Sequence, residues 1–277
     1  AMPSSVPLWA GGFSAEIRDD ARGLLAARRR ADKNPLGSAA GYGVPVLPLD
    51  REHTRKKLGF AEIHSPVTAV QLSRGKAEAQ IAFEIHLLIT DLGRLSSDLI
   101  LFCTQEFSYV ALPASMTTGS SIMPQKRNPD VFELIRGRSA TSLACLNEII
   151  AIGSKLTSGY HRDLQLIKAP LFRAIDLATD VLQVLEAAIG QIHFIPENIR
   201  MEQTLYATEE AYRLVVEQGV ERGVDDDVLG DLGHEHKRTG VGGQVGVRDT
   251  RRRETAGKRR SDGACGVSGR SREPAGW

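Results

Sequence analysis

Residues 117–130, TTGSSIMPQKRNPD, have the types and spacing that could do chemistry. Gly119, Ser120 and Ser121 give a pliable backbone with hydroxyls. Lys126 places a cation six residues after Ser120, and Asn128 places an amide just before an expected helix. The positive end of a helix with a lysine and an amide beside it is suited to hold a carboxylate or a developing oxyanion. A serine there acts as a base only where its alkoxide is strongly stabilised, since a free hydroxyl is a weak base at neutral pH. By composition alone the stretch is a polar connector between helices; the order of its residues is what favours chemistry.

The elements that must position this loop read as long helices. Apolar residues Leu8, Phe13, Ile17, Leu24 and Leu25 recur at helical spacing over residues 5–32, with Ser4 or Ser5 as N-cap. Residues 34–50, NPLGSAAGYGVPVLPLD, hold too many glycines and prolines for regular structure and serve as a functional loop or a connector. Asp50 caps a short helix that Gly59 ends. Residues 67–110 form the longest periodic segment, which as one helix would span about 60 Å. Two partners follow, at 129–152 and 163–189, the second kinked or restarted by Pro170 in its first two turns. The pattern predicts an all-α long-helix bundle, with no alternating strand pattern and no short internal repeat.

Composition narrows the function classes. The 277 residues carry 35 Lys+Arg against 34 Asp+Glu, a net charge of +1, which argues against a dedicated nucleic-acid or membrane-surface protein. Aromatic residues are only 5%, so the core must be aliphatic. Three cysteines without C-x-x-C spacing suggest neither a disulfide framework nor a thiolate metal site, and fit a reducing, cytoplasmic setting. The start of the sequence lacks the basic and apolar run of an export signal. His53, His64, His86, His161 and His193 show no paired metal spacing; His234 and His236 form H-x-H in a glycine-rich segment. From residue 222 onward, 12 basic residues face 9 acidic ones among scattered glycines, and few large apolar side chains remain. This stretch cannot bury enough surface to offset its ordering entropy. The expected organisation is a helical bundle domain at 1–221 and a disordered basic tail at 222–277.

Residues 119–129, GSSIMPQKRNP, resemble the signature loop of the fumarase/aspartase superfamily, whose members release fumarate from a substituted succinate. The flanking residues are more similar to the argininosuccinate lyases within it: TQEF at 104–107, Gln125 in MPQK, and NPD followed by Glu133 and LIRG. YHRDLQLIK at 160–168 is similar to a further segment of those lyases. NPLGSAA at 34–40 and PLDRE at 48–52 stand at matching places in the order. The likeness covers roughly residues 1–220.

The resemblance implies roles. Ser120 matches the serine that removes the proton beside a substrate carboxylate, and Lys126 and Asn128 match positions that hold that carboxylate and stabilise the aci-carboxylate. Glu133 matches a carboxylate that pairs with a catalytic histidine. Tyr160, Gln165 and Lys168 match substrate-binding positions. It implies β-elimination of argininosuccinate to arginine and fumarate, with no metal and no organic cofactor, in sites assembled from three regions of different subunits of a homotetramer. Two of those regions, including a Thr-His-x-Gln motif, are not found here, so the expected activity of this chain alone is little or none. The tail is expected to reflect a frameshift or gene-model error after Val220.

Three other readings stand beside this one. Fumarase, aspartase and adenylosuccinate lyase share the loop but do not account for Gln125 with TQEF and YHRDLQ. A helical fragment that oligomerises through its exposed faces without catalysis is a structural alternative. The basic run at 247–260 has little aromatic interleaving and signals at most nonspecific phosphate attraction.

Overall fold

A computed structural model describes residues 3–119, 121–123, 126–201 and 203–218. Ser120, Gln125 and the tail expected to be disordered from residue 222 lie outside the described residues. The long helices pack into one compact unit, Ala1–Leu214.

Helix α1 (Val6–Ala31) starts where Ser5, in an extended conformation, accepts the Leu8 amide at 3.3 Å, so the cap falls on one of the two expected serines. Its last turn holds Arg28, Arg29 and Arg30, favourable at the negative helix end. Strand β1 (Lys33–Asn34) pairs in parallel with β2 (Glu62–Ile63), on either side of α2 (Arg51–Leu58). Asp50 accepts the His53 amide at 2.8 Å and Gly59 closes α2 at φ 75°, as expected.

The segment expected as one helix over 67–110 is interrupted. A short helix α3 (Ala69–Leu72) stops, and Gly75, buried at φ 84°, starts α4 (Lys76–Phe102). The break is local: Lys76 donates to the Ser73 carbonyl at 3.0 Å, and the Glu78 carboxylate takes the Gly75 amide at 2.8 Å. At the other end α4 stops at Phe102, and the chain turns through Ser108 into β3 (Val110–Ala111). Helix α5 (Asp130–Gly153) runs back along α4. Helix α6 (Lys168–Ile189) starts so that Pro170 falls in its first turn, where its missing N–H costs nothing. Strand β4 (His193–Phe194) pairs antiparallel with β3, and α7 (Ala207–Gln218) ends the described chain.

The core is aliphatic, as the composition requires. Helix α4 lies between α1 and α5, and α6 packs on both α5 and α4. One cluster gathers Ile89, Leu92 and Leu99 of α4, Phe132 and Cys145 of α5, and Ala174 and Val181 of α6. Each such buried Leu or Ile stabilises the fold by ~1.5–3 kcal/mol. The few rings concentrate at one end, where Trp9 lies 5.4 Å from Phe102 and 5.9 Å from Phe194 and donates its indole N–H to Asp98 at 2.8 Å. A second cluster, Ala82, Leu146, Ile149, Leu164 and Ile167, closes the opposite end of the α4–α5 pair. Between them, Arg173 of α6 reaches α5, donating through Nε to Cys145 Sγ at 3.1 Å and through Nη2 to Glu148 at 2.8 Å. Among the described residues, no helix is long and apolar enough to cross a membrane.

Candidate active site

The loop ahead of α5 is gathered by its own backbone. Thr118 and Asn128 form an antiparallel bridge, each amide donating to the other's carbonyl at 3.2 and 3.0 Å, and the Thr118 hydroxyl donates to the Asp130 carboxylate. The two arms of the loop are thereby joined ten residues apart in sequence. Since the bridge uses its backbone groups, the half-buried Asn128 keeps its side-chain amide without a hydrogen bond among the described residues. Lys126 and Arg127 are exposed on the same arm. Both cations stand next to the positive end of α5, whose first turn also carries Asp130 and Glu133. Glu133 is exposed, and its carboxylate makes no ion pair among the described residues.

Beneath this end Phe132 is fully buried and fixes the first turn of α5 against the core. Among the described residues the arrangement offers an ammonium, an amide without a partner and a helix N-terminus, a setting that attracts and orients a carboxylate.

The second group of expected site residues lies elsewhere. Tyr160 is exposed just after Gly159 (φ 96°), Gln165 is exposed in a 3-10 turn over Arg162–Gln165, and Lys168 is the exposed first residue of α6. Buried Leu164 and Ile167 anchor this segment to the C-terminal half of α5. The 24 residues of α5 rise about 35 Å, so the structure brings Lys126, Asn128 and Glu133 together at one end and Tyr160, Gln165 and Lys168 at the other. It does not join the two groups within one chain.

At the Tyr160 end the glycine-rich stretch 34–50 is an ordered loop. Gly41, at φ 126°, is buried against Gly159, and a Cβ on it would stand 3.4 Å from the Gly159 Cα and 3.2 Å from Gln71. Asn34, fully buried, donates to the Arg51 carbonyl at 3.0 Å and to Thr54 at 2.9 Å, and accepts the Leu36 amide at 3.1 Å. Arg51 donates to the carbonyls of Leu36 at 2.7 Å, His64 at 2.9 Å and Asn34 at 3.2 Å. Arg74 ties the α3–α4 break to the Leu164 carbonyl at 3.3 Å. These clamps, and Thr118 at the other loop, are what sequence reasoning missed. The motifs NPLGSAA and PLDRE contained Asn34 and Arg51, but nothing in their spacing marks them as each other's partners.

Burial, with Lys33 and Arg51 nearby, holds the His64 imidazole below its ordinary value of 6.5. Burial pushes the Cys103 thiol up to about 11, which keeps it an unreactive packing group. Among the described residues, no group of three or more His, Cys, Asp or Glu is placed to hold a metal ion.

A protein-family model described as lyase matches residues 1–142. The chain belongs to this lyase family. Within it, the chain is 44% identical over 219 residues to the argininosuccinate lyase of Stenotrophomonas maltophilia (strain K279a), covering 78% of this chain and 50% of that protein. It is 40% identical over 221 residues to the argininosuccinate lyase of Phocaeicola vulgatus, covering 78% and 49%. The chain thus spans about half the length of these relatives. Among solved structures, an EDDS lyase in complex with formate aligns with TM-score 0.64 and 26% identity, over 75% of this chain and 41% of that one. The class II fumarase of Schistosoma mansoni aligns with TM-score 0.65 at 21% identity, over 72% and 46%, which shows a shared fold. The all-α long-helix reading therefore holds for this lyase chain.

Proposed function

We propose that this chain is the argininosuccinate lyase-like part of a site for the anti β-elimination of argininosuccinate to arginine and fumarate, inactive by itself and active where the two regions not found in it are supplied by longer lyase subunits. The observation that carries the reading is the 44% identity over 219 residues to an argininosuccinate lyase. The position of Lys126 and Asn128 beside the start of α5 supports the following assignment of roles. Lys126 and the free amide of Asn128 hold a substrate carboxylate beside the positive end of α5. Ser120 takes the proton from the adjacent carbon, the electron pair enters the carboxylate to form the aci-carboxylate, and its collapse breaks the carbon–nitrogen bond so that arginine leaves. Stabilising the doubly charged intermediate more than the substrate is where rate arises. Glu133 serves a histidine partner, and Tyr160, Gln165 and Lys168 bind the remainder of the substrate. No metal or organic cofactor enters this scheme.

Because the two residue groups lie about 35 Å apart along α5, a small molecule touching both needs α5 ends from different copies. Large apolar side chains remain exposed on the helix faces, among them Leu134, Ile150 and Phe172, which supports association. We propose a cytoplasmic homotetramer of this kind, built from residues 1–221 with 222–277 as an appended tail, and expect the isolated chain to be inactive.

The test replaces the matched segment of the Stenotrophomonas maltophilia enzyme with the 219 aligned residues of this chain. The chimera is expected to release fumarate from argininosuccinate in preference to adenylosuccinate, aspartate or malate, and Ser120→Ala is expected to cut kcat by at least ~100-fold. A folded, oligomeric chimera without fumarate release from argininosuccinate would sink the reading.

A further inference from the structure

One strongly charged cavity is lined by none of the expected site residues. It is an open cavity of about 520 Å³ between the last turn of α1, the paired strands β1 and β2, and the start of α4. Arg29, Arg30, Lys33 and Lys76 line it, with His64 as a further nitrogen donor and Glu62 as the single carboxylate. Glu62 is already engaged by Lys33 at 3.2 Å, whereas Arg29, Arg30 and Lys76 have no ion pair among the described residues.

Helix polarity explains basic residues in the last turn of α1. It does not explain why Lys33, Lys76 and His64, from three other segments, converge on the same space. Four fixed cations against one carboxylate repel one another and raise the potential of a walled cavity, a cost that a bound anion removes. The walls also offer neutral polar groups, the hydroxyl of Ser73 and the amide of Gln80, at orienting positions. Behind them, the Asn34 and Arg51 clamps fix the strand segments that carry Lys33 and His64. The cavity is therefore held in shape before any ligand arrives.

We propose that this cavity binds a small polyanion bearing carboxylate or phosphate groups, held by Arg29, Arg30, Lys33 and Lys76 through charge-assisted hydrogen bonds. The site is independent of the lyase reading, because it uses none of the residues assigned to the elimination. An anion seated there also favours the imidazolium form of His64, so occupancy raises the titration of that one ring.

The experiment uses the full chain at low ionic strength, titrated with citrate as the carboxylate probe and inorganic pyrophosphate as the phosphate probe. Binding is followed by calorimetry and by the NMR titration of the His64 ring. The expected result is saturable one-site binding of at least one probe with an upward shift of the His64 midpoint. The double variant Arg29→Ala/Arg30→Ala, and separately Lys76→Gln, should each weaken binding about tenfold. Arg138→Ala, which removes an exposed cation of α5 outside the cavity, should leave it unchanged. Binding of citrate alone assigns the site to carboxylates, binding of pyrophosphate alone assigns it to phosphates, and binding of both leaves a site that reads charge. No saturable binding of either probe, equal loss in Arg138→Ala, or binding that leaves the His64 midpoint in place overturns the proposal.

Discussion

Just past the C-terminal end of α5, Gly41 lies against Gly159, and the segment that carries Gly41 is held by side chains, Asn34 and Arg51 bonding six groups between them. At the N-terminal end the described part of the loop is joined by one backbone bridge and one side-chain bond, Thr118 to Asp130, while Lys126, Asn128 and Glu133 keep their polar ends unpaired among the described residues. The first end is preorganised by its own chain. The second presents charge and amide groups without a side-chain partner among the described residues. One helix thus joins an end held by packing and side-chain bonds to an end that keeps its polar side chains available, without losing its own fold.

The largest effect should come from the largest side chain that anchors the open end. Phe132 is fully buried in the first turn of α5, within the main core cluster. Phe132→Ala leaves a large cavity there and is expected to cost about 3–5 kcal/mol in urea unfolding. Amide exchange should rise most at the N-terminal turns of α5, with little change around Leu146 and Ile149. Uniform loss of protection along α5 would erase the distinction between its ends.

Arg51→Ala tests the clamped end. The guanidinium satisfies three carbonyls, those of Leu36, His64 and Asn34. Its removal is expected to cost about 2–3 kcal/mol, since charge-assisted bonds are lost and part-buried carbonyls are left unpaired. Proteolysis should then cut within residues 34–50 while the loop at 117–130 keeps its wild-type cleavage rate. Equal sensitivity of the two loops would show that Arg51 is no clamp.

How far these features could be read in advance depends on how local their causes are. The Ser5 cap, the Asp50 cap and the Gly59 stop act within three or four residues, and all three stood where the sequence placed them. The break at Gly75 carried a signal in Ser73–Arg74–Gly75, but apolar periodicity on both sides outweighed it. Its decisive bond, from Glu78 back to the Gly75 amide, shows only in the fold. The place of Lys126 and Asn128 just before α5 was legible because it follows from residue order and the helix start. Arg51 was not, because its carbonyl partners stand 13 to 17 residues away and meet it only after β1 and β2 pair. The separation of Tyr160 from the 117–130 loop was in principle countable from the length of the intervening helix, whereas the cationic cavity needed four segments to be brought together.

The smallest expected effect separates the two ends by pH. His64 sits beside the clamp, where burial, Lys33 and Arg51 hold its imidazole below the ordinary value of 6.5. The folded chain therefore binds fewer protons than the unfolded chain in the window below that value. By linkage, stability is complete above the ordinary histidine range and falls as the pH drops through it toward the depressed folded value. The loss should be local. Moving from about pH 7.5 to about pH 5.5, in a buffer free of polyvalent anions, should raise the exchange of the Leu36 and His64 amides, corrected for intrinsic rates. Exchange at Thr118 and Asn128 should change less. His64→Gln keeps a polar side chain without the titration, so the acid sensitivity of the clamped end should shrink while its protection near neutral pH stays close to wild type. The same acid response in His64→Gln as in the wild type would place the sensitivity in another group and leave the two ends of α5 distinguished by packing alone.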